Sequence, residues 1–576
     1  MKKGLIILSS VLFLLYLSSC TKNTSIDPRS IPTDSASIAI GKTKFSQNCA
    51  SCHNFKKDGI GPQLGGLTRT IDTEWIREFI KNPKAKIASG DERAKELFEQ
   101  YKTEMISFSF LTDDDLNSIL AFMHTKGTPV EDPRKTAIDP NALKNPIPEP
   151  IAMSNLVVEL KPFIQILPSG ENNPLTRITK LTNQPNTDKL FLNDLRGKLY
   201  FLNGDKPEVY LDMEKEMPKF IHTPGLATGF GSYAFHPEFE KNGLLYTTHS
   251  EPPNSAKADF NYPDSIQVAL QWVVSEWKTK TLGAFPFAGK SRELFRINMV
   301  DQIHGVQEAA FNPLAKPGDE DYGLLYIGVG DGGSAEKGYQ FLCDNTEKIW
   351  GSVIRIDPSG SNSVNGHYGI PDSNPLAKDE NPNTVREIFA RGFRNPHRII
   401  WDQSGRIFIA NIGHHNVESL YLIQPFSNCG WPYREGTFVI DPSQNMHNIY
   451  PLPADDAKNN ITYPVAQYDH DEGNAIAGGF EYAGKNLPEL KGKFVFGDIV
   501  KGRMFYIEMK DIKPGTQATI KEWQLSIDGK ITTLSKLCGS DKADERFGQD
   551  RNGELYLTTK PDGMVYRLVS FKITNE

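Results

Sequence analysis

Tyr233-Ala234-Phe235-His236-Pro237 runs into Gly243-Leu244-Leu245-Tyr246, and the same phrase returns as Ala310-Phe311-Asn312-Pro313 before Gly323-Leu324-Leu325-Tyr326. Ile400-Trp401-Asp402 before Gly405-Arg406-Ile407-Phe408, and Gln549-Asp550 before Gly553-Glu554-Leu555-Tyr556, are later versions of it. Each version is an apolar or aromatic run, a turn, then a glycine and a β-rich run that closes on an aromatic residue, which is the pattern of a hairpin. Hairpin units recurring from about Ala152 to Val569 suit radial repetition, so the repeat predicts a β-propeller. The irregular period leaves an array of β-sandwiches as the competing architecture.

Outside the repeat the chain changes character. At 576 residues it is several times the usual domain length. Between Gly127 and Pro150 stand Pro129, Pro133, Pro140, Pro146, Pro148 and Pro150, too dense a set of breakers for a helix or a central strand. The expected organisation is therefore multidomain: a small all-α domain over 36–127, a proline-rich linker over 128–151 and an all-β domain over 152–572. In the first of these, Thr112-Asp113-Asp114-Asp115 precedes Leu116, Ile119, Leu120 and Met123, which share one helical face with Thr112 as the N-cap.

Lys2 and Lys3 precede an apolar stretch from Leu5 to Leu17, the composition of a secretory signal over 1–20. The stretch is too short to span a membrane. Its end, Leu17-Ser18-Ser19-Cys20, resembles a bacterial lipobox, which implies lipid on Cys20 and an exported protein anchored to a membrane, facing the periplasm or the cell exterior. An ordinary cleaved signal with a spare cysteine is the alternative. Residues 21–35 are polar, contain Pro28 and Pro32, and read as a tether. With 64 basic and 71 acidic residues the net charge is −7, without the basic excess that a nucleic-acid partner requires. Six cysteines are too few for a disulfide scaffold in a chain of this length; Cys343, Cys429 and Cys538 form at most one bridge, and the sequence does not choose the pair.

Cys49-Ala50-Ser51-Cys52-His53 fits the attachment motif for haem c. Two thiols on one turn reach the two vinyl groups while the next residue turns its imidazole to the iron. A zinc knuckle lacks a second Cys or His pair here, and a thioredoxin-type dithiol does not need the following histidine. With Gly41 and Phe45 ahead of the motif and Gly61-Pro62-Gln63-Leu64-Gly65-Gly66 behind it, nearly the whole first domain resembles class I bacterial cytochromes c. The resemblance implies a second axial ligand before the last helix, and the matching residue is Met105, whose soft thioether raises the reduction potential. Met123 is the nearby rival and fits a buried helix face better.

A cytochrome carries electrons, so the larger domain should supply or receive them. From Gly225 to Leu568 it resembles the soluble quinoprotein glucose/sorbosone dehydrogenases, on Phe235-His236-Pro237, on His304 with Phe311-Asn312-Pro313 and Gly330-Asp331-Gly332-Gly333, on Gly392-Phe393-Arg394-Asn395-Pro396 and on Asn428-Cys429-Gly430-Trp431-Pro432. The resemblance implies a six-bladed propeller that uses pyrroloquinoline quinone with calcium to oxidise a sugar or alcohol. It makes His304 the general base, a role suited to a side chain with an unperturbed pKa of ~6.5. Asp331 is expected to support that histidine or the substrate beside the cofactor, and Arg394 and Asn395 to hold the quinone. The backbone carbonyls of Gly413 and His414 match the calcium position. Glu418 reads equally as a ligand of a structural calcium or as a solvated strand residue.

The chain departs from the family in places. Ala227 stands where the family has a glutamine and Val500 where it has a quinone-binding lysine. The paired C-terminal arginines are reduced to Arg546 beside Glu545, with Lys501 and Arg503 close in sequence as compensating cations. Gly328-Val329-Gly330-Asp331-Gly332-Gly333 matches a dinucleotide-binding pattern but lacks a βαβ setting. Two functions follow. In one, a sugar or alcohol dehydrogenase passes electrons to the fused haem and on to a respiratory acceptor. In the other, the propeller is a non-catalytic module that binds carbohydrate or a redox partner.

Overall fold

A computed structural model describes residues 31–50, 53–55, 61–101, 104–128, 138–171, 173–225 and 227–574. Cys20 and Cys52 lie outside the described residues.

The first domain is helical, with the longer helices at Ser35–Asn48, Thr73–Lys81, Glu92–Tyr101 and Asp113–His124. Asp34 caps the first by accepting from the Ser37 amide, and Ile31 already packs on the helical core. The tether read over 21–35 therefore gives way to folded chain by residue 31. Thr112 caps the last helix and exchanges a reciprocal pair of bonds with Asp115, a capping box that satisfies two terminal amides. Phe45, Leu116, Ile119 and Leu120 form the buried seam between first and last helices.

Six four-stranded antiparallel meanders follow. The first blade is Ile178–Asn183, Leu190–Asp194, Lys198–Asn203 and Lys206–Asp212. The second runs from Phe230–Phe235 through Leu244–Glu251 and Leu270–Thr279 to Gly289–Met299. Glu308–Phe311, Leu325–Val329, Ser352–Ile356 and Ile388–Arg391 make the third, and Pro396–Trp401, Ile407–Asn411, Val417–Ile423 and Ala466–Asp469 the fourth. Ile476–Glu481, Lys493–Asp498, Met504–Glu508 and Lys521–Ile527 form the fifth. The sixth takes three strands from the C-terminus, Glu545–Gln549, Leu555–Thr559 and Met564–Ile573, and its outer strand, Ala152–Gln165, from the other end of the domain.

The innermost strands of blades two to six lie against one another in succession, Leu190–Asp194 of blade one meets Phe230–Phe235 of blade two, and Glu545–Gln549 pairs in parallel with Ile178–Asn183, so the ring returns to its start. This is a six-bladed propeller, and the sandwich alternative falls. The repeats legible in the sequence are the inner hairpins of blades two, three, four and six. In all four a side chain builds the turn: His236 accepts from the Glu238 amide, Asn312 from that of Leu314, Asp402 from those of Ser404 and Arg406, and Asp550 from those of Asn552 and Glu554.

From residue 138 onward the proline-rich segment is docked on the propeller. Leu143 donates its amide to the Ile449 carbonyl at 2.8 Å, Ile147 to Asp469 at 3.1 Å and Ile151 to Glu472 at 3.0 Å, all on the propeller. Cys343, Cys429 and Cys538 are free thiols set in three different hydrophobic clusters, so no bridge forms among them.

Ring closure through the Ala152–Gln165 strand generates a prediction. Leu160 is 2 % exposed opposite Leu568, so Leu160→Ala should cost about 2–5 kcal/mol. A lowered denaturation midpoint of the β-sheet circular dichroism, with the haem absorption unchanged, is the expected outcome.

Candidate functional site

In the helical domain, Cys49 ends the first helix and His53 follows on the same turn, its amide donating to the Cys49 carbonyl. His53 Nδ1 lies 2.8 Å from the Pro62 carbonyl. That bond places the proton on Nδ1 and the lone pair on Nε2, the nitrogen an iron takes. Gly61 lies flat on the ring: a Cβ there would stand 2.4 Å from His53 Cε1. Met105, Phe108 and Met123 line the same crevice, Met105 half-buried and Met123, 2 % exposed, within the core of the last helix. An oriented imidazole, a thioether and an apolar wall fit haem c.

In the propeller, the sequence stretches converge on one carboxylate. Asp331 is fully buried; its Oδ1 takes His304 Nδ1 at 2.7 Å and the Gly333 amide at 2.8 Å, while Oδ2 takes Trp431 Nε1 at 3.0 Å. The Asp331 amide donates to the Arg394 carbonyl at 2.8 Å, which ties this turn to Arg394-Asn395. His304 has a φ of 48°, a left-handed conformation that costs a non-glycine residue energy and is concentrated at functional sites. Its carbonyl accepts from the Gly332 amide, and a Cβ on Gly330 would stand 2.2 Å from it. Within the dinucleotide-like glycine run, Gly330 and Gly332 thus meet His304, while Gly328 lies against the Pro396 carbonyl.

Asp331, expected to support the histidine or the substrate beside the cofactor, stands in the structure as a positioning residue behind His304. Its acceptor oxygen holds the proton on Nδ1 and turns the Nε2 lone pair to the cavity. Arg394 donates to Glu336 at 2.6 Å and to the Gly413 carbonyl at 2.5 Å, and stacks over Trp431. Arg394 Nε and Asn395 Oδ1 are buried with no partner among the described residues, which fits a polar ligand over them. The Gly413 carbonyl does not fit a calcium site as it stands, because a guanidinium already occupies it. His414 stacks edge-on against His415 and neighbours His447, which in turn meets Tyr101 of the helical domain, with ring centres 5.9 Å apart. Burial pushes the His415 imidazole well below its usual range. Glu418 is not solvated: fully buried, it accepts from the Gly413 and Ile476 amides and pairs with His470. His236 accepts from the Glu238 amide and the Asn242 side chain and is part of a hairpin turn.

Ala227 and Val500 both line the cavity, as the departures imply. Lys501 and Arg503 do not compensate. Lys501 Nζ donates to the Asp471 carbonyl at 2.8 Å, and Arg503 is clamped by Glu472 and Glu522. Instead Lys542, Arg546 and Lys560 line the cavity around Asp544. Lys560, Lys542 and Glu336 were not legible as site residues, since nothing in a Thr-Thr-Lys-Pro sequence announces a central cavity.

One cavity of about 1710 Å³ is lined by His53 and Met105 on one side and by His304, Arg394 and Asn395 on the other, so the crevice of the helical domain opens onto the propeller site.

The family model described as Glucose / Sorbosone dehydrogenase matches residues 177–559, and that described as Cytochrome c matches 38–126. Hedgehog-interacting protein of Mus musculus is 23% identical over 429 residues, 71% of this chain and 53% of its own length. Quinoprotein glucose dehydrogenase B of Acinetobacter calcoaceticus is 24% identical over 373 residues, 59% of this chain and 68% of its own. The chain spans about half the length of the Hedgehog-interacting proteins it matches. Among solved structures, the PQQ-bound form of an aldose sugar dehydrogenase from Streptomyces coelicolor superimposes with a TM-score of 0.48 at 17% identity, covering 74% of this chain and 100% of that one. Cytochrome c from Rhodothermus marinus gives a TM-score of 0.16 at 25% identity over 17% of this chain and 81% of its own.

The crevice geometry predicts that Met105→Ala lowers the haem midpoint potential in a redox titration while Met123→Ala leaves it near the parent value, because Met105 is half-buried in the crevice whereas Met123 is packed into the core of the last helix. Gly61→Ala should displace the His53 ring and alter the oxidised visible spectrum.

Proposed function

The chain belongs to the glucose/sorbosone dehydrogenase family, and from that premise we propose that it is a haem-linked sugar dehydrogenase whose propeller oxidises an aldose or related alcohol and delivers the electrons to its own cytochrome domain. The observation that carries this reading is the shared cavity: the ligand pair His53 and Met105 and the dyad His304–Asp331 line one space. When bound, pyrroloquinoline quinone supplies a two-electron hydride acceptor and haem c a one-electron carrier. His304 Nε2 takes the substrate hydroxyl proton as hydride leaves the carbinol carbon. Asp331 stabilises the imidazolium that forms and keeps the ring in place, the division of labour seen wherever a buried carboxylate backs a catalytic histidine. Arg394, Asn395 and the Lys560 cluster bind and orient the ligand. Fusion makes acceptor delivery intramolecular, at high effective concentration.

A second reading has its own support. The loss of the family's glutamine and lysine at Ala227 and Val500, and the similarity to proteins named for binding a partner, suit a propeller that docks a carbohydrate or a protein without turning it over. In either case the lipobox-like Leu17–Cys20 and the export that haem c attachment requires support a chain held by lipid on Cys20, facing the periplasm or the cell exterior, with a respiratory acceptor downstream.

Purified protein supplied with quinone and calcium should show haem reduction on adding an aldose, and none without quinone. His304→Ala should slow that reduction about 10²- to 10⁴-fold with the dithionite-reduced spectrum unchanged. A variant as fast as the parent removes His304 from the base role, and a quinone titration with no new absorbance favours the binding module. Cys20→Ser should move the protein from the membrane to the soluble fraction.

A further inference from the structure

The sixth blade meets the first at the ring-closing seam, and the cavity floor there is charged in one sense. Lys560 ends the Leu555–Thr559 strand, and its carbonyl accepts both the amide and the hydroxyl of Thr176 from the first blade. Its ammonium, 6 % exposed, donates to Asp544 at 2.9 Å. Arg546 donates to the same Asp544 oxygen at 3.0 Å, and Lys542 lies 3.8 Å from the other. Three cations thus share one carboxylate. Burial works against ionisation of Asp544, yet Lys560, Lys542 and Arg546 outweigh it and hold the carboxyl well below its usual range.

The adjoining Glu545 does not balance the charge. Both its oxygens are buried without a partner among the described residues, and burial pushes its carboxyl far up, towards the neutral acid. Buried Arg177 from the first blade lies within electrostatic reach of Asp544, with Asp194 as its nearer counter-charge and Arg196 as a further cation beside it. Burial, then the neighbouring Arg546, press the Lys560 ammonium down to about 7, as expected of a cation short of counter-charge. Buried positive charge in excess is costly unless an anion neutralises it. An ammonium has three donors, and Asp544 is the one acceptor it meets among the described residues.

We infer that Lys560, with Arg546 and Lys542, forms the carboxylate-binding subsite of this chain, taking over at the seam between blades six and one the charge that Val500 no longer supplies in blade five. The ligand class is a rigid aromatic di- or tricarboxylate. The inference rests on the dehydrogenase reading for the identity of that ligand as the quinone, but the subsite itself rests on the charge excess alone. Lys501 lies outside it, because its ammonium is spent on the Asp471 and His470 carbonyls.

Equilibrium binding to the full-length protein tests this, read by calorimetry rather than turnover. The probes are pyrroloquinoline quinone and, separately, pyridine-2,4-dicarboxylate. Lys560→Met should weaken quinone binding about 10- to 100-fold, the range for losing a charge-assisted bond, and flatten its dependence on salt. Lys560→Arg should recover most of the affinity, and Lys501→Met should leave it at the parent value. Asp544 keeps two cations in Lys560→Met, and an unchanged thermal melt verifies that the fold is retained. Equal quinone affinity in parent and Lys560→Met overturns the subsite. If the parent binds the dicarboxylate through Lys560 but not the quinone, the subsite stands and the dehydrogenase reading falls. If the parent binds neither, the subsite falls as well.

Discussion

Closure of the ring by the Ala152–Gln165 strand governs the rest of the structure. That strand completes a blade whose other three strands come from the far end of the domain, and it also runs alongside the outer strand of blade five. A propeller hides the edges of its sheets only when its last blade meets its first, and a strand borrowed across the whole domain is how this chain secures that meeting. The innermost strands are thereby gathered about one axis. Residues far apart in sequence, such as Arg177, Arg398 and Lys560, then line the same space.

Within that space the charges are divided by function. Asp331 is committed three times over, to His304, to Gly333 and to Trp431, so it holds the base still and offers nothing to a ligand. Glu336 offsets Arg394, while the Asp544 cluster is left positive. One side of the cavity is therefore arranged to accept a proton and the other to receive an anion, which is the polarity an oxidation by an anionic acceptor needs. The helical domain completes the enclosure, with Tyr101 against His447 and its ligand crevice open to the same cavity. The docked proline-rich segment anchors the chain to the propeller directly before the closing strand.

Much of this was readable before any coordinates. The Thr112 cap, the helical face from Leu116 to Met123, the haem motif and four of the six inner hairpins are local patterns, in which the residues that interact stand within a few positions of each other. Blades one and five escaped the repeat because their inner hairpins lack the full phrase. The first, Ile178–Asn183 to Leu190–Asp194, has no glycine opening its second strand, and the fifth follows its first strand with Tyr482-Ala483 where the four legible repeats have a histidine, asparagine or aspartate. The convergence of Gly330–Gly333, Arg394-Asn395 and Trp431 was foreshadowed by resemblance, but the reason for it, one buried aspartate whose carboxylate holds Gly333 and Trp431 and whose amide holds the Arg394 carbonyl, is a matter of tertiary contact.

The sequence by itself determined that this chain carries a haem attachment motif on a helical domain, followed by a domain of radial β-repeats with a histidine suited to proton transfer. Those properties depend on spacing, periodicity and side-chain chemistry, all of which are linear. Which cations face the cavity was decided only by the tertiary structure. Lys501 and Arg503, nearest in sequence to the missing lysine, are turned to carbonyls and carboxylates of their own blade, while Lys560 reaches the axis from the sixth. The carbonyl of Gly413 is likewise taken by Arg394 instead of standing open for a cation. A charged side chain goes where a counter-charge or acceptor lies within reach in three dimensions, and in a closed ring those neighbours come from other blades.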